Sequence, residues 1–101
     1  MGKLVRDRIP ELIAREGGSP RTRILDHASY ELALRDKLIE EAHELRDAED
    51  TAAAIEEAAD VYEVLLAIAD RCGIGLEDIA DRAALKRSAC GGFDQRIWLE
   101  S

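Results

Sequence analysis

Read at about 100° per residue, the apolar positions of this chain fall into helical stripes over most of its length. The first long helix, over 27–47, sets Tyr30, Leu34, Leu38 and Leu45 on one stripe. Asp26 stands before it as an N-cap, and Leu25 is placed to staple onto Tyr30. A second helix, over 52–71, carries Ile55, Ala58, Ala59, Tyr62, Leu65, Leu66 and Ala69 on its main apolar face and Val61, Val64 and Ile68 on an adjoining flank. It is apolar around most of its girth, and Gly73 stops it. A third, over 76–89, shows Leu76, Ile79, Ala80 and Ala83, with Lys86 and Arg87 near the end where the helix dipole favours cations. Ahead of these, Pro10 suits the first position of a short helix over 10–16 that Gly17 and Gly18 end. Beyond Gly91 and Gly92 the period changes to two: Phe93, Gln95, Ile97 and Leu99 alternate with Asp94, Arg96 and Trp98, which predicts a short strand or extended arm. The expected fold is all-α, a bundle of three long helices and one short N-terminal helix with a short extended or β C-terminal tail, in a single domain over 1–101.

Charges interrupt the first two stripes in a mirrored way. Glu41 falls in the middle of the first stripe, with Glu44 and Lys37 at its edge, and Glu57 is bordered by Val61, Val64 and Ile68. The polar run from Asp47 to Thr51 places Asp50 or Thr51 to cap a new helix, so the chain reverses there as an αα-hairpin. Glu44 and Glu57 stand equally far from the centre of that turn, and so do Glu41 and Asp60. Because both helices rise about 1.5 Å per residue, the members of each pair reach similar heights on facing helices. Four converging carboxylates in a partly apolar setting repel one another and resist desolvation unless protons or a cation neutralise them. At neutral pH a hard divalent metal with oxygen ligands fills that role.

Composition narrows the partners. The chain has 101 residues, enough for one core, and 47% of them are hydrophobic, which argues against disorder. A formal net charge of -8 leaves no basic footprint for nucleic acid or an anionic membrane, and it suits cations. No apolar run approaches the ~20 residues that span a bilayer, and the charged N-terminus is followed by no signal-type apolar region, so a cytoplasmic protein is expected. Cys72 and Cys90 lack metal-ligand spacing and are expected to be reduced thiols. The second helix offers apolar side chains on more faces than a chain of this length covers, and Ile39 adds another patch opposite Glu41; a homodimer or homotetramer follows, with Val61, Val64 and Ile68 expected at or near the interface.

Glu40, Glu41 and Glu44 form an EExxE motif that is followed after twelve residues by ExxD in Glu57 and Asp60. This combination resembles the MazG-type all-α nucleotide pyrophosphohydrolases. The resemblance extends to the lead Lys3, Leu4, Val5, Arg6, Asp7, Arg8, Ile9, Pro10, to Lys37 and Leu38, and to Gly91, Gly92, Phe93, Arg96 and Ile97. It is strongest to the small phosphoribosyl-ATP-pyrophosphohydrolase-like, house-cleaning branch. The resemblance implies a Mg²⁺-dependent (Mn²⁺ possible) hydrolase that converts a nucleoside triphosphate to its monophosphate and pyrophosphate, with Glu41, Glu44, Glu57 and Asp60 as metal ligands. It makes Glu40 a candidate to orient or deprotonate the attacking water, against the plainer reading of a solvated acid. Cys90 departs from the branch, which carries an arginine before the two glycines; phosphate contacts then fall to Lys86, Arg87 or Arg96. Lys37 either contacts phosphate or bridges Glu41 at i,i+4, and Trp98 is the aromatic freest to stack on a base. Lys3, Arg6 and Arg8 either reach phosphates or pair with the acidic body. His43 completes an ExxH with Glu40, but a di-iron bundle wants a second ExxH that the chain lacks. Phosphoribosyl-ATP hydrolysis and a non-enzymatic helical oligomerisation module are the rival functions.

Overall fold

The computed structural model describes residues 2–101 and is built from four helices: α1 Ile9–Arg15, α2 His27–Arg46, α3 Thr51–Arg71 and α4 Leu76–Cys90. No strand occurs among the described residues. The all-α expectation therefore holds, with each long helix within one residue of its expected bounds. Pro10 occupies the second rather than the first position of α1, because Ile9 already begins the turn on Arg6.

Side chains and glycines fix the helix ends. Asp26 accepts a hydrogen bond from the Ser29 N–H at 2.8 Å, and that bond holds its carboxyl below the usual carboxylate range. Asp50, not Thr51, caps α3 by accepting from the Ala53 N–H at 2.8 Å. Replacing Asp50 by alanine should lower the stability of the chain by about 1 kcal/mol, the usual cost of losing such a cap. A urea titration of the two proteins checks this; equal midpoints would show that the cap contributes nothing. At the other end of α3, Gly73 adopts φ 76 while its N–H reaches the Asp70 carbonyl and the Ile74 N–H reaches that of Ala69. These two bonds form a Schellman ending, which a residue with a Cβ would strain.

α2 and α3 pack antiparallel as the expected hairpin, and α4 touches only α3 among the helices. The core is small: Leu34, Val64 and Ala69 are the buried apolar side chains, and Glu41 is buried with them. Val64 on the inner side of α3 corrects the sequence expectation. Glu57, Asp60, Val61, Val64 and Ile68 share one helical stripe, so if the acids turn toward α2 this flank must turn with them. The N-terminal half of the more apolar face is left outside, where Ile55 is 64% and Tyr62 57% exposed, while Leu65, Leu66 and Ala69 further along it are covered in part or in full.

The accessible surface is 8992 Å² and the radius of gyration 17.2 Å. A compact monomer of this size has about 5,700 Å² and about 13 Å. Leu32 and Ile39, on the side of α2 turned from α3, are also exposed. The C-terminal tail is extended except for one turn in which the Arg96 N–H meets the Phe93 carbonyl and Arg96 takes φ 55. That turn breaks the alternation that suggested a strand, and Phe93, Ile97, Trp98 and Leu99 are all at least 80% exposed. No helix is long and apolar enough to cross a membrane among the described residues. Cys72 and Cys90 are free and exposed.

Candidate metal centre

The hairpin brings the two mirrored acid pairs together. One carboxylate oxygen from each of Glu41, Glu44, Glu57 and Asp60 lies within 4.8 Å of the other three. Opposite ligands of a six-coordinate Mg²⁺ stand about 4.2 Å apart and those of a larger hard cation about 5 Å, so this set closes on one dication with small side-chain rotations. Clustered acids on a surface often hold nothing. Here, however, Glu41 is only 6% exposed, and Glu41 Oε2 and Glu57 Oε2 are buried with no hydrogen-bond partner. Buried carboxylate oxygens without donors are costly, and a cation is the partner that satisfies both at once. The residues present fit a divalent metal.

Local electrostatics agree. Burial pushes the Glu41 carboxyl above the usual range; Lys37 opposes this, and the neighbouring Glu44 carboxylate adds to it. Lys37 lies 3.3 Å from Glu41 and 3.3 Å from Glu40, so the i,i+4 bridge expected from sequence forms and a second carboxylate joins it. Burial disfavours the Lys37 charge, but the hydrogen bonds to Glu41 and Glu40 outweigh it and hold the ammonium above its ordinary value. Glu40 is thus tied to Lys37, partly exposed, and outside the converging four. His43 is exposed and also outside them.

Beside the acids a cleft of about 460 Å³ opens between α2, α3 and the N-terminal segment. Leu4, Val5, Tyr30, Leu34, Val64 and Ala67 supply its apolar wall, while Arg6, Asp7, Arg8, Lys37, Glu41, Asp60 and Glu63 supply the charge. Its volume lies within the range of small-molecule sites, about 300–1,000 Å³. Of the basic lead, Arg6 pairs with Asp60 at 2.7 Å and Arg8 with Glu11 at 2.8 Å. Lys86, Arg87, Arg96 and Trp98 lie on the outer part of α4 and on the tail, and none of them lines the cleft. Sequence reasoning missed Glu63 as a lining residue, although its place one turn beyond Asp60 toward Val64 was a signal for it.

A helical hairpin that sets four carboxylates around a space for a hard cation, next to a cleft of small-molecule size, defines an acidic all-α candidate metal site. The chain belongs to the phosphoribosyl-ATP pyrophosphohydrolase family, whose sequence profile matches residues 10–87, within the MazG-like all-α superfamily. It is also 52% identical over 56 residues to an uncharacterised protein of Mycolicibacterium smegmatis, an alignment that covers 55% of this chain and 57% of that relative. The match thus spans little more than half of the relative's length. No solved structure matches the chain.

Proposed function

We propose that this chain is a Mg²⁺-dependent nucleoside triphosphate pyrophosphohydrolase acting in the cytoplasm on a non-canonical or surplus nucleotide, as a homodimer or homotetramer. The observation that carries the reading is that two of the four converging acids, Glu41 and Glu57, each keep a buried carboxylate oxygen with no hydrogen-bond partner. A polyanionic substrate approaches so acidic a site only through cations that bridge it to the carboxylates. When bound, Mg²⁺ held by Glu41, Glu44, Glu57 and Asp60 would polarise phosphoryl oxygens and screen the charge of transfer.

The chain's own groups supply the rest. Lys37 fixes Glu40 and Glu41 at once, which sets the height of both carboxylates on α2. Glu40 is accessible to water and takes the proton of the attacking molecule; the new bond forms at the α-phosphorus, the bond to the bridging oxygen breaks, and pyrophosphate leaves. The apolar wall of the cleft, with Tyr30 in it, receives the base and sugar. The family name favours one second reading, phosphoribosyl-ATP as substrate, which requires room for a further phosphoribosyl group.

A panel of canonical and modified nucleoside triphosphates together with phosphoribosyl-ATP, incubated with Mg²⁺ in ¹⁸O-water, tests both. The expected products are monophosphate and pyrophosphate, with the label in the monophosphate. Release of orthophosphate and a diphosphate would refute attack at the α-phosphorus, and turnover confined to phosphoribosyl-ATP would transfer the assignment to the second reading.

A further inference from the structure

Two cationic side chains of the chain itself sit on the acid cluster. Lys37 sits on Glu41, and Arg6 sits on Asp60, so each of the two acids farther from the hairpin turn carries one positive partner. The two partners differ in how firmly they are held. Lys37 is on the same helix as its acid, its side chain is 18% exposed, and it bonds two carboxylates. Arg6 lies on the non-helical segment before α1, its side chain is 56% exposed, and it reaches Asp60 through the single contact of Nη2 to Oδ1 at 2.7 Å. Leu4 and Val5 are half-buried along the cleft wall and anchor that segment, so the guanidinium is kept at the mouth of the cleft whether or not it holds Asp60.

Asp60 cannot serve both partners equally. A dication on its carboxylate would stand within a few ångströms of the guanidinium, and like charges at that distance repel even where solvent screens them. Once displaced, Arg6 presents the planar fork of donors that matches phosphate oxygens, at the edge of the space where a polyphosphate chain would lie. Resting on the metal-centre reading above, we propose that Arg6 exchanges between two anions: it occupies Asp60 in the free protein, competing with metal that arrives alone, and transfers to the phosphate chain when metal and nucleotide are bound together. The exchange makes loading cooperative, since the nucleotide removes the competitor that weakens the metal, and the metal frees the arginine that holds the nucleotide.

Two equilibrium measurements on the whole chain test this without turnover. Mn²⁺ binding is followed by electron paramagnetic resonance in the absence of nucleotide, and binding of an α,β-methylene triphosphate is followed by calorimetry at saturating metal. Arg6→Gln is expected to bind Mn²⁺ alone about two- to fivefold more tightly, the range an exposed ion pair supports. It should bind the analogue about tenfold or more weakly, as expected for a lost charge-assisted contact. Arg6→Lys keeps the competing charge without the fork, so its Mn²⁺ affinity should stay near that of the unaltered protein while its analogue affinity falls. Mn²⁺ affinity that is unchanged or weaker in Arg6→Gln overturns the competition, and unchanged analogue affinity in both variants overturns the transfer. If the unaltered protein binds no Mn²⁺, the metal-centre reading falls and takes this one with it; binding there with no response at position 6 overturns the exchange alone.

Discussion

Glu41→Gln is expected to stabilise the metal-free protein at neutral pH, to remove its stabilisation by Mg²⁺, and to lower turnover by on the order of 10²–10³-fold, the usual cost of losing one charge-stabilising group at a reacting centre. The first two effects have opposite signs and one cause. Glu41 is buried beside Glu44 with an unpartnered oxygen, so its charged form is disfavoured until a cation arrives. Its carboxyl is raised in the fold, so the stability it contributes is fully present below the ordinary glutamate value of 4.5 and is lost as pH rises through the folded value. Metal-free protein should therefore lose stability over that window relative to Glu41→Gln, in which the amide does not ionise and Lys37 keeps Glu40. Saturating Mg²⁺ reverses the order, because binding to the native state alone raises stability by linkage. Thermal melts across pH, with chelator and then with Mg²⁺, read both signs. A variant that melts lower than the unaltered protein at neutral pH in chelator, or one that keeps the full metal increment, would refute the account.

Tyr62→Asp should dissociate the protein. The single chain exposes about 3,000 Å² more surface than a compact monomer of its size, and Ile55 and Tyr62 form the apolar outer face of α3. Side chains of this kind contribute about 1.5–3 kcal/mol each when fully buried. A second copy is the occupant proposed for this face: in a symmetric pair the same apolar side chains cover one another, and their burial must outweigh the mutual repulsion of two chains of net charge -8. Sedimentation at micromolar concentration should give at least a dimer for the unaltered protein and a monomer for Tyr62→Asp, with the melting temperature lower by roughly 10 °C. Ile39→Asp probes the opposite patch on α2 separately, and an effect there as well marks a tetramer. A monomeric unaltered protein would end the proposal. Val64 is the wrong residue for this experiment, because a charge inside the hairpin would unfold the chain.

The sequence disclosed the fold and the cluster through the same signal. Apolar period, the Asp26 and Asp50 caps and Gly73 are local, and each long helix follows from them to within a residue. The meeting of Glu41 with Asp60 and of Glu44 with Glu57 was legible because a single turn relates them by symmetry. Facing was not. The helical wheel ranks α3 by apolarity and turns Tyr62 inward, whereas the acids share a stripe with Val64 and orient the helix the other way. Arg6 on Asp60 joins positions separated by 54 residues, and no local pattern states which of eight lead residues lands on which acid. Lys86, Arg87 and Arg96, candidates for phosphate by resemblance, and Trp98, the candidate for stacking, belong to the end of the chain, and within one chain none of them lines the cleft.

All four acids belong to one hairpin, with Glu41 and Asp60 farthest from its turn. Contacts so close in sequence close a short loop, whose entropy cost is small beside that of docking remote segments. The four acids are therefore expected to come together early in the folding reaction, before α4 and the N-terminal segment take their places. A cation bound at that moment would act on the folding transition state itself, and its stabilisation is then expected as faster folding rather than slower unfolding in stopped-flow traces with and without metal.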